Sequence, residues 1–327
     1  MKRTGLTLLA MLLVGGATAW WLVREPQVDE PRPQLQAAAP RAARQVKGAN
    51  GTAAAIPLAQ PEVAQASAAP PDDAARLRAS NDYFEFASEM FAAAKQGDPS
   101  AQYYLSNALS YCESLYDWYF IVYGPNGAPR HRTLDEALQL TAERPVFKPD
   151  DVRDIQQRCQ KLRKIQPPPF GTSQEWLVGA LAANFPLAQV TSALGLALQG
   201  HERGDSDKAL AAREEARRLA MEALRTKDPK VIARMGDVAA NLAGDDAAAA
   251  RKAQWAWPLA ACLREKDCDS MTDWMHLYCN VDTQCQPFET PVDVIRRQAG
   301  NDYDEVERLA REINEKLDAG TLEEGDL

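Results

Sequence analysis

The fold is decided by residues 92–102, which read AAAKQGDPSAQ. The glycine is typical of a helix end, and the Asp-Pro pair after it supplies an N-cap and a first helical residue. Two further stretches align on their proline: GALAANFPLAQ at 179–189 and EALRTKDPKV at 222–231. The three prolines are 87 and 43 residues apart. Because about 43 residues make one antiparallel helix pair with its loops, the junctions predict repeated helix pairs.

The remaining sequence from Asp72 onward also has helical periodicity, and we find no strand signals in it. Capping patterns mark several helix starts, such as Thr172 with Glu175 three residues later. The predicted helices span 74–96, 99–121, 134–143, 150–164, 173–183, 186–201, 205–226, 229–242, 246–265, 270–279, 291–299 and 302–318. The predicted fold class is therefore all-α.

The longer stretch 92–109, AAAKQGDPSAQYYLSNAL, resembles the helix-turn-helix junction of Sel1-like repeats, which are relatives of the tetratricopeptide repeat. Residues 176–194 resemble it more weakly. The family's usual G-x-G-V-x-x-D segment is missing, and AERPV stands at 142–146 where a junction is expected. The resemblance implies a short right-handed α-solenoid of stacked antiparallel helix pairs that binds protein segments and performs no chemistry. The alternative is an alanine-rich helical bundle with coincidental Asp-Pro caps.

The N-terminal segment predicts export. An uncharged run at 4–23 lies between Lys2-Arg3 and Arg24, and a helix over 5–23 would be about 28 Å long, close to the bilayer core. Residues 1–24 are either a retained signal anchor or a signal peptide cleaved after Ala19. Both alternatives send the following chain outward, since Lys2 and Arg3 stay in the cytoplasm. The expected location is a bacterial inner membrane, single-pass, with the body in the periplasm, or a periplasmic or secreted protein after cleavage.

The segment that follows predicts a tether. Residues 25–71 are rich in Ala, Pro and Gln, and no aromatic residue occurs between Trp21 and Tyr83. Such a composition buries too little apolar surface to offset the entropy of ordering, so we expect a disordered linker spanning about 40 Å. The all-α repeat-like domain then covers 72–320, and residues 321–327 form an acidic tail.

An even number of cysteines agrees with export, because disulfides persist in oxidising compartments. The six are Cys112, Cys159, Cys262, Cys268, Cys279 and Cys285. A helix over 270–278 would hold its flanking cysteines about 16 Å apart, too far to bond. We therefore predict the pairs Cys262–Cys268 and Cys279–Cys285, which close short breaks, and Cys112–Cys159 by elimination. The alternative is that some of them are buried free thiols.

Charge and motifs exclude several classes of function. The net charge is −9 with a pI near 5.1, and no basic stripe appears, so we expect no nucleic-acid partner. The histidines His131, His201 and His276 lack metal-ligand spacing, and no glycine-rich phosphate loop or C-x-x-C knuckle occurs. Carboxylates lie in surface patterns such as REEARR at 213–218. The sequence predicts no metal, no cofactor and no enzyme, with an envelope hydrolase the least favoured alternative.

A second motif lies at residues 78–84, RASNDYF, which partly resembles the R-x-x-F-D-Y-F motif of membrane-anchored lipase foldases. Arg78, Asp82 and Tyr83 match that motif, together with Phe84, whereas Asn81 replaces its apolar residue. The resemblance implies a periplasmic chaperone for a secreted enzyme. The alternative places the aromatic residues on the core face of the first helix, with Arg78 and Asp82 as a surface ion pair.

Aromatic residues are dense between 103 and 123, and tyrosine and tryptophan are favoured as interface anchors. The candidate groove residues are Tyr103, Tyr104, Tyr111 and Trp118. The alternative is that they pack in the core of a central helix. The first functional hypothesis is thus an exported, membrane-tethered scaffold or adaptor that binds a protein partner in the cell envelope. It would reach the membrane through residues 5–23. The foldase-like chaperone is the second hypothesis.

Overall fold

The structure is a computed structural model and describes residues 72–123, 129–143, 149–165, 169–202, 206–244, 246–265, 268 and 289–327. The predicted N-terminal segment and linker, the predicted helix 270–279 and the pair Cys279–Cys285 lie outside these ranges. The described helices are α1 (Asp73–Ala79), α2 (Tyr83–Lys95), α3 (Pro99–Tyr111), α4 (Asp117–Phe120), α5 (Leu134–Glu143), α6 (Pro149–Lys164), α7 (Ser173–Ala182), α8 (Pro186–Glu202), α9 (Asp207–Leu224), α10 (Pro229–Leu242), α11 (Ala247–Arg264), α12 (Pro291–Ala299) and α13 (Tyr303–Ala319).

The capping residues act as the sequence predicts. Asp98 accepts a hydrogen bond from the Ala101 amide at 3.0 Å to start α3, and Asp228 starts α10 in the same way. Thr172 and Thr290 each form a capping box, at the starts of α7 and α12. From residue 134 onward, the predicted helices that the structure describes are confirmed, with bounds that differ by two residues or fewer.

Two predicted helices are interrupted. The prediction over 74–96 becomes α1 and α2, because Ser80 is extended and the Asp82 side chain caps a new start. The prediction over 99–121 ends in a π-helical turn, Cys112–Tyr116, followed by α4. A π-turn inserts one residue into the helical register without changing the apolar pattern strongly, so the sequence gives no sign of it.

The sequence analysis predicted no strands, and this prediction was wrong at one place. Strand β1 (Ile121–Tyr123) pairs antiparallel with β2 (Pro129–His131), with Ile121 opposite His131. Three-residue strands are too short to show an alternating pattern. The hairpin is fixed to the helices by Arg132, whose guanidinium donates to the carbonyls of Trp118 and Tyr119 at 3.1 and 3.0 Å.

The helices stack on their neighbours along the chain. Helices α2 and α3 form a hairpin, α3 packs on α7, α8 packs on both α9 and α10, α10 packs on α11, and α11 packs on α13. Their buried apolar side chains form a continuous core from Ala74 to Leu317. The all-α fold with stacked helices is therefore confirmed for the described residues.

Close contact between α10 and α11 depends on Gly236. A Cβ atom added there would lie 2.6 Å from the carbonyl oxygen of Gln254 and 2.9 Å from Cδ of Pro258. Pro258 lies inside α11 and has no N–H, so it cannot donate to that carbonyl four residues earlier. The two helices are thus in close contact where α10 lacks a side chain and where α11 contains a proline.

Within the described residues, no single helix is both long and apolar enough to cross a membrane. Helix α7 and residues 186–200 together have sufficient length and apolar character, and the chain bends by 117° between them.

Candidate functional site

The foldase-like motif is engaged in contacts between helices. The Asp82 carboxylate accepts from the backbone amides of Phe84 and Glu85 at 3.0 and 3.4 Å, and it forms an ion pair with Lys161 of α6. The carbonyl of Arg78 accepts from Arg158, also of α6, at 3.3 Å. The sequence analysis offered a surface ion pair between Arg78 and Asp82. In the structure, Asp82 pairs with Lys161 instead. The motif thus fixes the start of α2 against α6.

Tyr83 extends this joint into the core. It is 5% exposed, and its ring meets the ring of Tyr111 edge-on at 5.3 Å between centroids. Arg158 Nη1 donates to the Tyr83 hydroxyl at 3.2 Å, while its Nε pairs with Asp154 at 2.7 Å. Burial raises the pKa of Tyr111, which keeps its hydroxyl neutral. The structure therefore brings Tyr83 and Tyr111 into direct contact and joins Tyr83 to α6 through Arg158, a residue that the sequence analysis did not single out.

Tyr103 and Tyr104 of the candidate groove lie in the core. They are 0% and 6% exposed, and their rings meet edge-on at 5.2 Å. The Tyr103 hydroxyl lies 3.4 Å from the hydroxyl of Thr191 on α8, and the guanidinium of Arg234 on α10 lies over its ring. Trp118 is half-buried on α4. The four candidate groove residues do not form one accessible surface.

Two of the predicted cysteine pairs lie at disulfide-bonding distance. Cys112, in the π-turn, bonds Cys159 of α6, with Cα atoms 5.3 Å apart, and both residues are buried. Cys262 and Cys268 are bonded at the end of α11, six residues apart. The first links elements separated by 47 residues, whereas the second closes a short loop.

Acidic residues around the π-turn are used to join elements. Asp117 forms a two-pronged ion pair with Arg163 at 2.8 and 2.5 Å. Burial raises the pKa of Asp117 to about 6, although Arg163 opposes that shift. Glu113 accepts from the amide and hydroxyl of Ser173 at the start of α7. The cavity between Glu113 and Arg163 has a volume of about 10 Å³, which is enough for one water molecule.

The described part of the chain contains no group of three or more His, Cys, Asp or Glu side chains placed to hold a metal ion. His131 is exposed on β2. The side chains of His201 and His276 lie outside the described residues. The prediction of no metal or cofactor stays a prediction.

A larger opening, which we name the α11–α13 groove, lies between those two helices. Its volume is about 370 Å³, within the range of ligand and peptide pockets. Alanines of α11 line one wall, and the groove stays open there because an alanine side chain ends at Cβ. The apolar lining residues are Ala248, Ala249, Ala253, Ala256, Trp257, Leu309, Ile313 and Leu322. The charged rim residues are Asp246, Lys252, Glu305, Glu312, Lys316 and Asp326.

The acidic tail lies at one end of this groove. Residues Glu324–Asp326 form a 3₁₀ turn, and Asp326 pairs with Lys316 of α13 at 2.5 Å. Leu322 and Leu327 pack against the core. The tail is therefore attached to α13 by one ion pair and to the core by two apolar side chains, and it is not simply a solvated end.

Comparison with known proteins gives no relative for this chain: no family model, no curated protein and no solved structure matches it.

Proposed function

We propose that this chain is an exported, membrane-tethered helical scaffold that binds a protein partner in the cell envelope and performs no catalysis. Residues 5–23 would anchor or export it, residues 25–71 would act as the tether, and the helical domain would lie in the periplasm. If the first segment is cleaved after Ala19, the domain becomes periplasmic or secreted.

The observation that carries this proposal is the buried Cys112–Cys159 disulfide. It joins a cysteine of the π-turn to one of α6, 47 residues apart in the sequence. The π-turn and α6 also pack against each other. Disulfides of this kind form and persist outside the reducing cytosol, which supports export. The Cys262–Cys268 pair supports the same conclusion independently.

Helix stacking supports the scaffold part of the proposal. From α7 to α13 the strongest contacts join helices close in sequence, with α8 also packing on α10. This is the contact pattern of an α-solenoid, in which each repeat mainly contacts its neighbours. Together with the Sel1-like stretch 92–109, it favours a short solenoid over a closed bundle.

The alternative function is a lipase-foldase-like chaperone that uses Arg78, Asp82 and Tyr83. In this structure Asp82 caps α2 and pairs with Lys161, and Tyr83 is buried against Arg158. These contacts account for the motif through packing alone, so we favour the scaffold.

Thiol trapping in intact cells, followed by fractionation, tests the proposal. We expect the native chain in the envelope fraction, digestible by protease from the periplasmic side. We expect alkylation of Cys112 and Cys159 only after reduction and unfolding. A native chain found in the cytosol with all six thiols free would contradict export and scaffold together.

The chaperone alternative is tested by Asp82→Asn and Tyr83→Phe, which keep the size of both side chains. Loss of a co-expressed secreted lipase's activity, with an unchanged circular dichroism spectrum and melting temperature, would favour the chaperone. We expect lipase activity to be independent of both substitutions.

A further inference from the structure

The α11–α13 groove has the dimensions of a site for a helix. The lining residues of α13 run from Glu305 to Lys316, which is about 17 Å, or three helical turns. Three turns present apolar anchors at i, i+3 or i+4, and i+7, the usual pattern of a helix bound in a groove. Both walls are helices, whose backbone groups bond mainly within each helix, so neither wall presents a sheet edge to an added strand.

The groove floor is apolar and the opening is kept by small side chains. Trp257, at 1% exposure, forms the bottom, and Leu309 and Ile313 form the α13 side. On the opposite wall Ala249 is exposed, and a longer side chain there would enter the opening. An incoming apolar side chain would therefore gain burial without displacing any residue that the structure describes.

The rim carries an excess of carboxylates. Lys252 pairs with Glu305 at 2.7 Å, and its charge also faces Asp246 and Asp302. Around Lys316, Glu312 lies at 3.3 Å and Asp326 at 2.5 Å.

One further cation contacts this set from the outer side of α13. Arg308 lies 3.2 Å from Glu312 and 4.0 Å from Glu305. Among the described residues, the four rim carboxylates and the nearby Asp302 share three cations, so the rim is negative and favours a cationic occupant. The same charge would repel an anionic lipid surface.

We propose that the α11–α13 groove is the partner-binding surface, and that its occupant is a cationic amphipathic helix of a protein partner. The helix would place apolar side chains against Trp257, Leu309 and Ile313, and its Lys or Arg residues would pair with the rim carboxylates. This inference rests on the proposed scaffold function and specifies the class of partner.

The test uses the full chain and two synthetic helix-forming peptides of 16 residues with identical leucine anchors at i, i+3 and i+7. One peptide carries lysines at the flanking positions and the other carries glutamates. We expect fluorescence anisotropy of a dye on each peptide to show binding of the lysine peptide that weakens as salt is raised. The glutamate peptide is expected to bind at least tenfold more weakly.

Two variants locate the binding and a third is the matched control. Ala249→Leu fills the groove at an exposed position, and Glu312→Lys reverses a rim charge. Glu307→Lys makes the same charge change on the opposite face of α13, where Glu307 pairs with Arg311. We expect about tenfold weaker binding for the first two and a change below twofold for the control, with circular dichroism unchanged in all three.

Several outcomes would overturn the inference: no binding of the lysine peptide, equal binding of both peptides, or wild-type binding by Ala249→Leu. The scaffold proposal fails separately, through cytosolic location and free thiols. If cross-linking in cells joins wild type and Ala249→Leu equally to one envelope protein, the scaffold stands and the groove is the wrong surface.

Discussion

The region from α2 to α7 and the region from α8 to α11 are packed in different ways. In the first, aromatic rings contact one another, as in Tyr83 with Tyr111 and Phe84 with Phe170, whose centroids are 5.3 and 5.4 Å apart. In the second, alanine is the most frequent buried residue, and Gly236 allows a close approach of α10 to α11. The first region gains stability from large buried side chains, and the second from helices that lie close together.

This difference predicts opposite sensitivities. Removing atoms leaves large cavities where rings are packed, but removes little where alanines are packed. Adding atoms forces the backbone apart in the alanine region. Each region also has one described disulfide, with sequence separations of 47 and 6. The same kinds of substitution, made in both regions, should therefore separate the two modes of packing.

The largest effect is expected for Tyr103→Ala in the aromatic region. The side chain is fully buried, so truncation should lower the free energy of unfolding by about 3–5 kcal/mol, measured by urea denaturation. The matched truncation in the alanine region is Ala239→Gly, also fully buried, with an expected cost of about 1 kcal/mol. Equal losses for the two variants would contradict the comparison.

The second largest loss of unfolding free energy is expected when the cysteine pairs are removed. Cys112→Ala with Cys159→Ala removes the constraint on a long loop and should destabilise the fold by about 4 kcal/mol, because the cost grows with loop length. Cys262→Ala with Cys268→Ala should cost about 2 kcal/mol for its short loop. Melting temperatures of both double variants, recorded without reductant, give the order. A larger loss for the second pair would show that loop length does not govern the difference.

Enlarging a side chain should lower the free energy of unfolding in the alanine region. Gly236→Ala places a Cβ 2.6 Å from the Gln254 carbonyl oxygen, which is backbone and cannot rotate away, so we expect a loss of about 1–3 kcal/mol. Gly325→Ala is the control, since a Cβ there meets nothing within 4 Å. Thermal unfolding of both variants tests this, and an unchanged midpoint for Gly236→Ala would rule out a tight α10–α11 contact.

The smallest effect is a pH dependence in the aromatic region. The pKa of Asp117 in the folded chain is raised to about 6 from 3.8, so the folded state binds its proton more tightly than the unfolded state does. The contribution of this group to stability is therefore greatest below pH 4 and is lost as the pH rises to about 6.

Asp117→Asn tests that sign. Between pH 4 and pH 6 the unfolding free energy of wild type should fall by on the order of 1 kcal/mol because of Asp117, and the variant should not show this fall. Urea denaturation at each pH measures the difference. Glu136→Gln is the control, because Glu136 lies on exposed surface in the same region and its pKa is lowered. If wild type and Asp117→Asn change equally over this range, Asp117 is not the source of the dependence.

Much of the helical structure could be predicted because its signals are local. The caps Asp98, Thr172, Asp228 and Thr290 each act within three residues of their own position. The pair Cys262–Cys268 could also be predicted, because its two cysteines are six residues apart in the sequence. The split at Ser80 also has a local signal, because the Asp82 side chain caps α2 within three residues of its own position, yet the sequence analysis predicted one continuous helix there.

The site was harder to predict because exposure depends on which helices meet. Tyr103 and Trp118 have the same interface-forming chemistry in the sequence, yet one is fully buried and the other half-exposed. Arg158, which joins the foldase-like motif to α6, lies 75 residues from Tyr83. The α11–α13 groove combines side chains separated by about 60 residues, so no motif in either segment announces it.

By itself the sequence determined the helical class, most helix bounds and the pair Cys262–Cys268, because periodicity, caps and short loops are properties of neighbouring residues. Tertiary structure alone decided that the aromatic helix is core, that Asp82 and Tyr83 serve the packing of α6, and that a negative groove opens along α13. Burial and electrostatic fields are sums over residues brought together from distant parts of the chain, and those sums exist only once the helices have packed.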